Sequence, residues 1–360
     1  MKAILYKSVI LLFFIPALAI ANGGWKGKYT KEKKINKEFS VNANALLKVK
    51  NSYGNLYVTS WNENRVVIEV HIQTNGNNEE KVQRKLDEID VQFNASNSVV
   101  DARTIFNRNK SRSWWGSRNN NVNMKINYTI KVPVSNSVNL NNDYGHINLD
   151  KIEGRAELRC DYGKMVIGEL LGDDNYLAFD YTRKSTLDYI KSGKINADYS
   201  GFEIGKAGDL EINADYTNSK IRSVNNITYS ADYGNLTIDK ANNIQGNGDY
   251  ITTKIGVVNG NVDITADYGT VKIEELTSNA GNVQIRSDYT SIKIGYQTSY
   301  SFNFEVTLGY AGFKGGEGFE YDIKRIKSRD KYYKGYNGSK NSGKNISIKA
   351  DYGSVTFYQK

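Results

Sequence analysis

The chain has 360 residues, with 26 Tyr and 32 Gly but only 2 Pro, 2 His, 3 Met and 1 Cys, and a net charge of +9. His71 and His146 stand far apart and Cys160 is alone, which excludes a zinc finger, a Cys/His metal cluster and an intramolecular disulfide framework. A hydrophobic share of 39%, scattered among Asn, Ser, Thr and Gly, predicts a β-rich protein with many turns.

Residues 1–21 read as a signal peptide. Lys2 and Lys7 supply the positive start, Val9 to Ile15 the apolar run, and Ala19-Ile20-Ala21 the cleavage site. The run is too short for a comfortable membrane span, and no second one follows. No Cys sits at the cleavage point, which argues against a lipoprotein anchor. The mature chain is therefore expected to be exported, without a transmembrane segment, to the periplasm, the cell surface or the medium.

Residues 22–135 are expected to form a β-rich capping region. Leu46, Val49, Leu56 and Val58 flank Tyr53 as a first β unit, and Val66, Ile68, Val70 and Ile72 alternate as a strand. Val82, Leu86 and Ile89, spaced by four and three behind Glu79 and Glu80, predict one short helix near 79–90. Strands are expected over 89–93, 99–105 and 122–134. Between the last two, residues 107–121 hold four basic residues, no acid and the pair Trp114-Trp115. Trp114, Trp115, Arg112 and Arg118 are candidate contacts for a glycan, a lipid surface or a protein, unless the rings tuck back onto the domain.

Residues 136–360 are a repeat. Asp-Tyr pairs recur at Asp143-Tyr144, Asp161-Tyr162, Asp180-Tyr181, Asp198-Tyr199, Asp215-Tyr216, Asp232-Tyr233, Asp249-Tyr250, Asp267-Tyr268, Asp288-Tyr289 and Asp351-Tyr352. Tyr310 follows Gly309, and Tyr53 follows Ser52 near the N-terminus. Most spacings are 17 to 21 residues; the last, from Tyr310 to Tyr352, is 42. In most units apolar or small residues stand six, four and two positions before the Tyr, and apolar ones three and five after it. Leu210, Ile212 and Ala214 precede Tyr216; Val271 and Ile273 follow Tyr268. Alternation that changes parity at the Asp-Tyr pair means two strands joined at a corner.

So small a unit cannot bury its own apolar face, and stacking solves the problem. The expected fold is all-β: a parallel β-helix, or solenoid, of eleven to twelve units, right-handed because parallel crossovers nearly always are. At about 4.8 Å per unit the rod is roughly 50 Å long. A propeller is the rival, but its blades need about 40 residues.

By parity the Tyr rings are expected to pack inward or lie along the corner as an aromatic ladder; an exposed strip gripping sugar rings is the alternative. Each Asp is expected to accept from the backbone N–H two residues on, as an Asx-turn. A row of calcium sites is the sharper reading, although the nonapeptide of calcium-binding β-rolls is absent. Lys220, Lys254, Lys272, Lys293 and Lys314, each four residues after a Tyr, offer partial neutralisation. Cys160 occupies the slot filled elsewhere by Ala197, Ala214, Ala231, Ala266 and Ala350, and reads as a buried small residue. The long spacing holds a basic, Tyr-rich insertion over 318–345. From Tyr321 to Lys344 it carries eight Lys or Arg against Asp322 and Asp330, with Tyr332 and Tyr333 as candidate contacts to anionic lipid or polysaccharide. A loop folding over the C-terminal end is the other reading. The export signal argues against nucleic acid.

No nucleophile–base arrangement, nucleophile elbow, phosphate loop or metalloprotease motif is present. His71 and His146 fall at outward positions on different segments. No catalytic residue and no cofactor is assigned, calcium apart. The acids of the repeat recur in nearly every unit, as a structural role requires.

The signal segment, the early Asn-Ser-Tyr-Gly unit, the single helix and the serial Asp-Tyr-Gly units through Ala350-Asp351-Tyr352-Gly353 together resemble the putative-adhesin families of exported bacterial proteins. The resemblance covers nearly the whole mature chain, the insertion at 321–344 excepted. It implies a parallel β-helix at the envelope or surface and no catalytic residues. The expectation is a non-enzymatic binding scaffold, whose partner is envelope polysaccharide, anionic lipid or another surface protein. A carbohydrate-active β-helix enzyme, of polysaccharide lyase or glycosidase type, and a periplasmic signalling component are the alternatives.

Overall fold

Period-two alternation sorts each repeat into an inward and an outward set. In the computed structural model, which describes residues 25–107 and 122–360, the described residues form 27 strands and one helix, and the strands join one mixed sheet. Before the corner Leu210, Ile212 and Ala214 are buried, while Glu211 and Asp215 are exposed. Successive units pair in parallel and in register, so like residues stack: Leu210 opposite Ile227, Ile212 opposite Tyr229, Ala214 opposite Ala231. After the corner Leu187, Ile204, Ile221, Ile238 and Ile255 make a second inward column. A third, not expected from the sequence pattern, runs through Ile152, Leu170, Ile190, Ala207, Val224, Ala241, Val258 and Leu276. These columns are one continuous core, and each unit buries its apolar face only against its neighbours.

Columns compensate locally. Tyr229 stands where neighbouring units carry Ile212 and Gly246. Its ring is buried because Gly246 leaves room for it; a Cβ at 246 would lie 2.1 Å from the ring. In the small-residue column Cys160 is fully buried, as expected, and desolvation pushes its thiol up to about 12. Two members are less expected. Asn51 and Asn142 are buried there, and the Asn51 amide donates to Ile126 O and Asn142 Oδ1, both at 3.0 Å. The Asn142 amide in turn donates to Gly54 O at 2.8 Å. This network satisfies the polar groups where the N-terminal block meets the repeat.

Antiparallel pairing appears only at the two ends, and it makes the sheet mixed. At the N-terminal end Leu46–Ser52 pairs in parallel with 137–143, so the Tyr53 unit stacks directly on the Tyr144 unit. Beyond it Tyr29–Ser40, Arg65–Gly76 and Asn123–Pro133 pair antiparallel, as do Ile89–Ala95 and Val99–Phe106. The helix spans Glu79–Glu88, slightly shorter than expected. Asn78 caps it by accepting from Lys81 N at 2.9 Å, and its buried face is Val82 and Leu86.

The C-terminal end departs further from expectation. The basic insertion is not a loop. Strands Glu320–Lys327 and Asp330–Asn337 form an antiparallel hairpin, and the second of them pairs with Phe302–Gly309. The last strand but one, Asn345–Asp351, then inserts in parallel between Val283–Asp288 and Phe302–Gly309. The last unit in sequence is thus the penultimate one in space. Phe319, from the segment leading into the hairpin, is buried against Phe302, Phe304 and Phe357, and these rings plug the end of the core.

Candidate functional site: the aspartate–tyrosine corner and the polar face beside it

All twelve corner tyrosines have φ between 50° and 65°, the left-handed region that β-carbon residues rarely occupy. That conformation turns the next residue inward, so Thr182, Ser200, Thr217 and Thr290 are buried, and leaves the ring outside. The expectation of inward rings is therefore corrected. Each corner ring is 41% to 54% exposed, because the left-handed residue does not follow strand parity. The ladder itself is present. Rings stack in the order 53, 144, 162, 181, 199, 216, 233, 250, 268, 289, 352, 310, with centroids 4.7 to 5.2 Å apart and planes within 11°. Phe106 closes one end edge-on at 6.3 Å; the Arg329 guanidinium covers the other, 4.9 Å from the Tyr310 centroid, and donates to its hydroxyl. Each interior face is covered by the next ring, so a sugar cannot stack on it. Edges and hydroxyls are what the ladder offers.

The aspartates also act between units rather than within one. Asp180 N donates to Asp161 Oδ1 at 3.3 Å, Asp198 N to Asp180 Oδ1 at 3.2 Å, and the relation repeats at Asp215, Asp232, Asp249 and Asp288. In the opposite direction Tyr162 N donates to Asp180 O at 3.1 Å, and most other corners do likewise. The expected Asx-turn is thus replaced by a hydrogen-bonded aspartate column. Among the described residues none of its ten carboxylates is in an ion pair; Lys220 reaches Asp239 at 3.9 Å and Lys272 bonds Glu274 instead. Desolvation, opposed in part by the backbone donor, raises the Asp180 and Asp215 carboxyls, and neighbouring carboxylates add to the rise. Asp249 is raised by desolvation and by Asp232 and Asp267. Burial likewise raises the Tyr162, Tyr233, Tyr268 and Tyr352 phenols, with adjacent phenols and aspartates adding to it. No group of three or more His, Cys, Asp or Glu among the described residues is placed to hold a metal ion.

The outward face of the pre-corner strands adjoins this column. In register along it stand Asn196, Asn213, Ser230, Asn247 and Thr265, followed by Arg286 and Lys349, with Lys194, Glu211, Thr228, Gln245 and Asp263 beside them. Two open depressions of about 480 and 400 Å³ lie there, sharing Glu211 and Thr228. Sequence reasoning passed over these residues, although outward parity next to the inward triplet marks them.

Of the contacts expected from sequence, Trp114, Trp115, Arg112 and Arg118 lie outside the described residues, as does the signal segment. Tyr332 is half-buried, and its hydroxyl donates to Glu305 Oε1 at 3.2 Å. Tyr333 is corrected: only 5% exposed, it stacks on Phe313 at 4.6 Å and belongs to the terminal plug. Adjacent strand residues point to opposite faces, so the two cannot act together. His71 meets Glu32 at 2.9 Å, far along the chain from His146.

No family model matches the chain, and no curated protein matches it. Among solved structures it is similar to a putative cell adhesion protein from Clostridium sporogenes, at 12% identity over 92% of this chain and 100% of that one, with a TM-score of 0.19. A putative adhesin from Parabacteroides distasonis aligns at 11% identity over 91% and 97%, with a TM-score of 0.27. A putative lipid binding protein from the same species aligns at 9% identity over 92% and 98%, with a TM-score of 0.29. Likenesses this distant leave the chain to be read from its own geometry.

Proposed function

We propose that the protein is a non-enzymatic, adhesin-like scaffold of the cell envelope or surface, built as a right-handed parallel β-solenoid and exported through its N-terminal segment. Its partner in this reading is an extended envelope polysaccharide lying along the polar face. The observation that carries the reading is the run of short amide and hydroxyl side chains, in register at strand spacing, of which Asn213, Ser230, Asn247 and Thr265 line one of the two open depressions. Such a face offers many weak, regularly spaced hydrogen bonds, which suit a polymer engaged at several points better than a small molecule. The repeated acids support a non-catalytic role, since the Oδ1 atoms of six of the ten accept from backbone donors.

The test is a glycan array and envelope-polysaccharide pull-down with the wild type, Ser230→Trp/Asn247→Trp and Trp114→Ala/Trp115→Ala. Length-dependent binding that the first variant loses by about tenfold or more supports the polar face. Loss in the second variant alone moves the site to the 107–121 segment. Turnover of any polysaccharide overturns the non-enzymatic reading.

A further inference from the structure

The lysines four residues beyond the corner tyrosines do not neutralise the aspartates; they stand on the opposite side of the rings. Lys254, Lys272 and Lys293 occupy three consecutive rungs in register, and Lys314 follows one rung beyond Thr356. Earlier units put Asn148, Val166, Thr186 and Glu203 in that place, so the charge is confined to the later half of the repeat. Lys254, Lys293 and Lys314 are exposed and, among the described residues, in no ion pair. Lys272 pairs with Glu274, which also meets Lys360 at 3.8 Å and accepts from the Tyr358 hydroxyl at 3.1 Å. Lys254 and Lys293 have Gly256 and Gly295 two residues on, where Lys272 has that acid. Between the lysine row and the ring edges lies a neutral floor of Thr252, Thr270 and Ser291. At Tyr250, Tyr268 and Tyr289 this trough holds an open depression of about 370 Å³ over Thr252, Gly269 and Thr270.

Both walls favour negative charge. Ring edges carry the positive rim of the aromatic quadrupole, and the ammonium groups face them across the floor. The hydroxyls of the floor donate as well as accept, so they serve uncharged polar groups of the same ligand. One exposed lysine holds an anion weakly and is screened by salt, so a ligand gains affinity only by engaging several in succession. The row offers one cation per rung, about 4.8 Å apart and in a straight line. That spacing suits a chain with one carboxylate on each sugar unit. Duplex nucleic acid, with a charge every ~1.7 Å, is far too dense to match it.

We infer that the trough between the ring edges and the lysine row binds a linear acidic polysaccharide of the polyuronate class. The chain lies parallel to the ladder, with carboxylates at Lys254, Lys272 and Lys293 and hydroxyls over Thr252 and Thr270. The site is on the post-corner strands, across the rings from the polar face, and does not rest on the reading of that face.

Oligogalacturonates of graded length are the probes, titrated into the full-length protein by calorimetry. Affinity is expected to rise with length up to about four units and to fall with added salt, while the fully methyl-esterified oligomers do not bind. Lys254→Gln/Lys293→Gln alters two exposed side chains and should weaken binding by about tenfold or more. Lys324→Gln/Lys327→Gln removes the same charge from the C-terminal hairpin and should leave binding unchanged, as should Ser230→Trp/Asn247→Trp on the polar face. Equal weakening in the hairpin variant would reduce the effect to net charge, and loss in the polar-face variant would move the polymer to that face. Either result would overturn the inference, as would absence of binding at every length, binding of the methyl esters, or preference for polyphosphate or anionic phospholipid vesicles.

Discussion

A tyrosine with φ near 50° carries a cost of about 1 kcal/mol that most positions would avoid by using glycine. Here the cost is offset in two ways, by ring stacking on both sides and by the paired backbone bonds between Asp and Tyr of successive units. The aspartate has opposing effects, accepting a backbone N–H while sitting near like charges. Substitution at Asp215 separates them. Asp215→Ala leaves Asp232 N without its acceptor and should cost about 1 kcal/mol in a denaturation experiment. Asp215→Asn keeps an acceptor oxygen and removes repulsion from Asp198 and Asp232, and should raise the melting midpoint slightly at pH 7. Because folding raises this carboxyl, the wild-type protein gains stability as pH falls through the folded value, and the gain is complete below the unfolded value. The advantage of Asn over Asp should therefore be full at neutral pH and vanish by about pH 3. A constant difference across that window would assign the effect to something other than charge. The spacing of the pairs was legible in the sequence. The direction of the ring was not, since parity holds only for residues in extended backbone, and the Tyr is the one residue of the corner that leaves it.

At the level of the element, the strands of the repeat and the single helix follow directly from alternation and from the Val82–Leu86 spacing. The C-terminal hairpin does not, for a physical reason. In Glu320–Lys327 the apolar residues Tyr321, Ile323 and Ile326 break period two, and the pairing register shifts between Tyr321 and Ile323. Its turn uses Ser328 at φ 49° instead of a glycine, so the usual hairpin signal is missing. The polar face is hidden differently, because no single Asn, Ser or Thr along it is distinctive in the sequence. At the opposite end Tyr29–Ser40 has a free edge, for it pairs only with Arg65–Gly76 among the described residues. Its inner face carries Lys31, Lys33 and Lys37 between Tyr29, Ile35 and Phe39; Lys31 pairs with Glu79 at 2.7 Å and Lys37 lies 6.0 Å from the Phe93 ring. Inward lysines on an edge strand oppose pairing with a second chain. Lys33→Val/Lys37→Val should give the strand a continuous apolar face over 33–39 with an open edge. Light scattering is expected to show species larger than the parent forms; an unchanged mass would remove edge protection as the role of these lysines.

For the whole molecule, parallel stacking makes stability a sum over neighbouring units, but the spatial order at the C-terminal end breaks the simple chain order. Asn345–Asp351 and Ser354–Gln359 complete the sheet between units that were laid down earlier, contributing Ile346, Ile348, Val355 and Phe357 to the core. Until they arrive, Val283–Asp288 has no neighbour on its outer side, and the Phe302–Gly309 strand with its hairpin has nothing to dock on. The contact is long in sequence, with Tyr289 meeting Tyr352 rather than Tyr310, and such contacts form late. A chain ending at Lys344 should therefore lose the terminal plug and the 302–337 segment together, while units up to Tyr268 hold because each depends only on its neighbours. Limited proteolysis should yield a resistant fragment ending between 270 and 300, and the melt should divide into an early and a late transition. A truncated chain that stayed protease-resistant through residue 337 and melted in one step would mean that the hairpin and its strand dock directly on the preceding unit, and the inserted strand would not be what joins them.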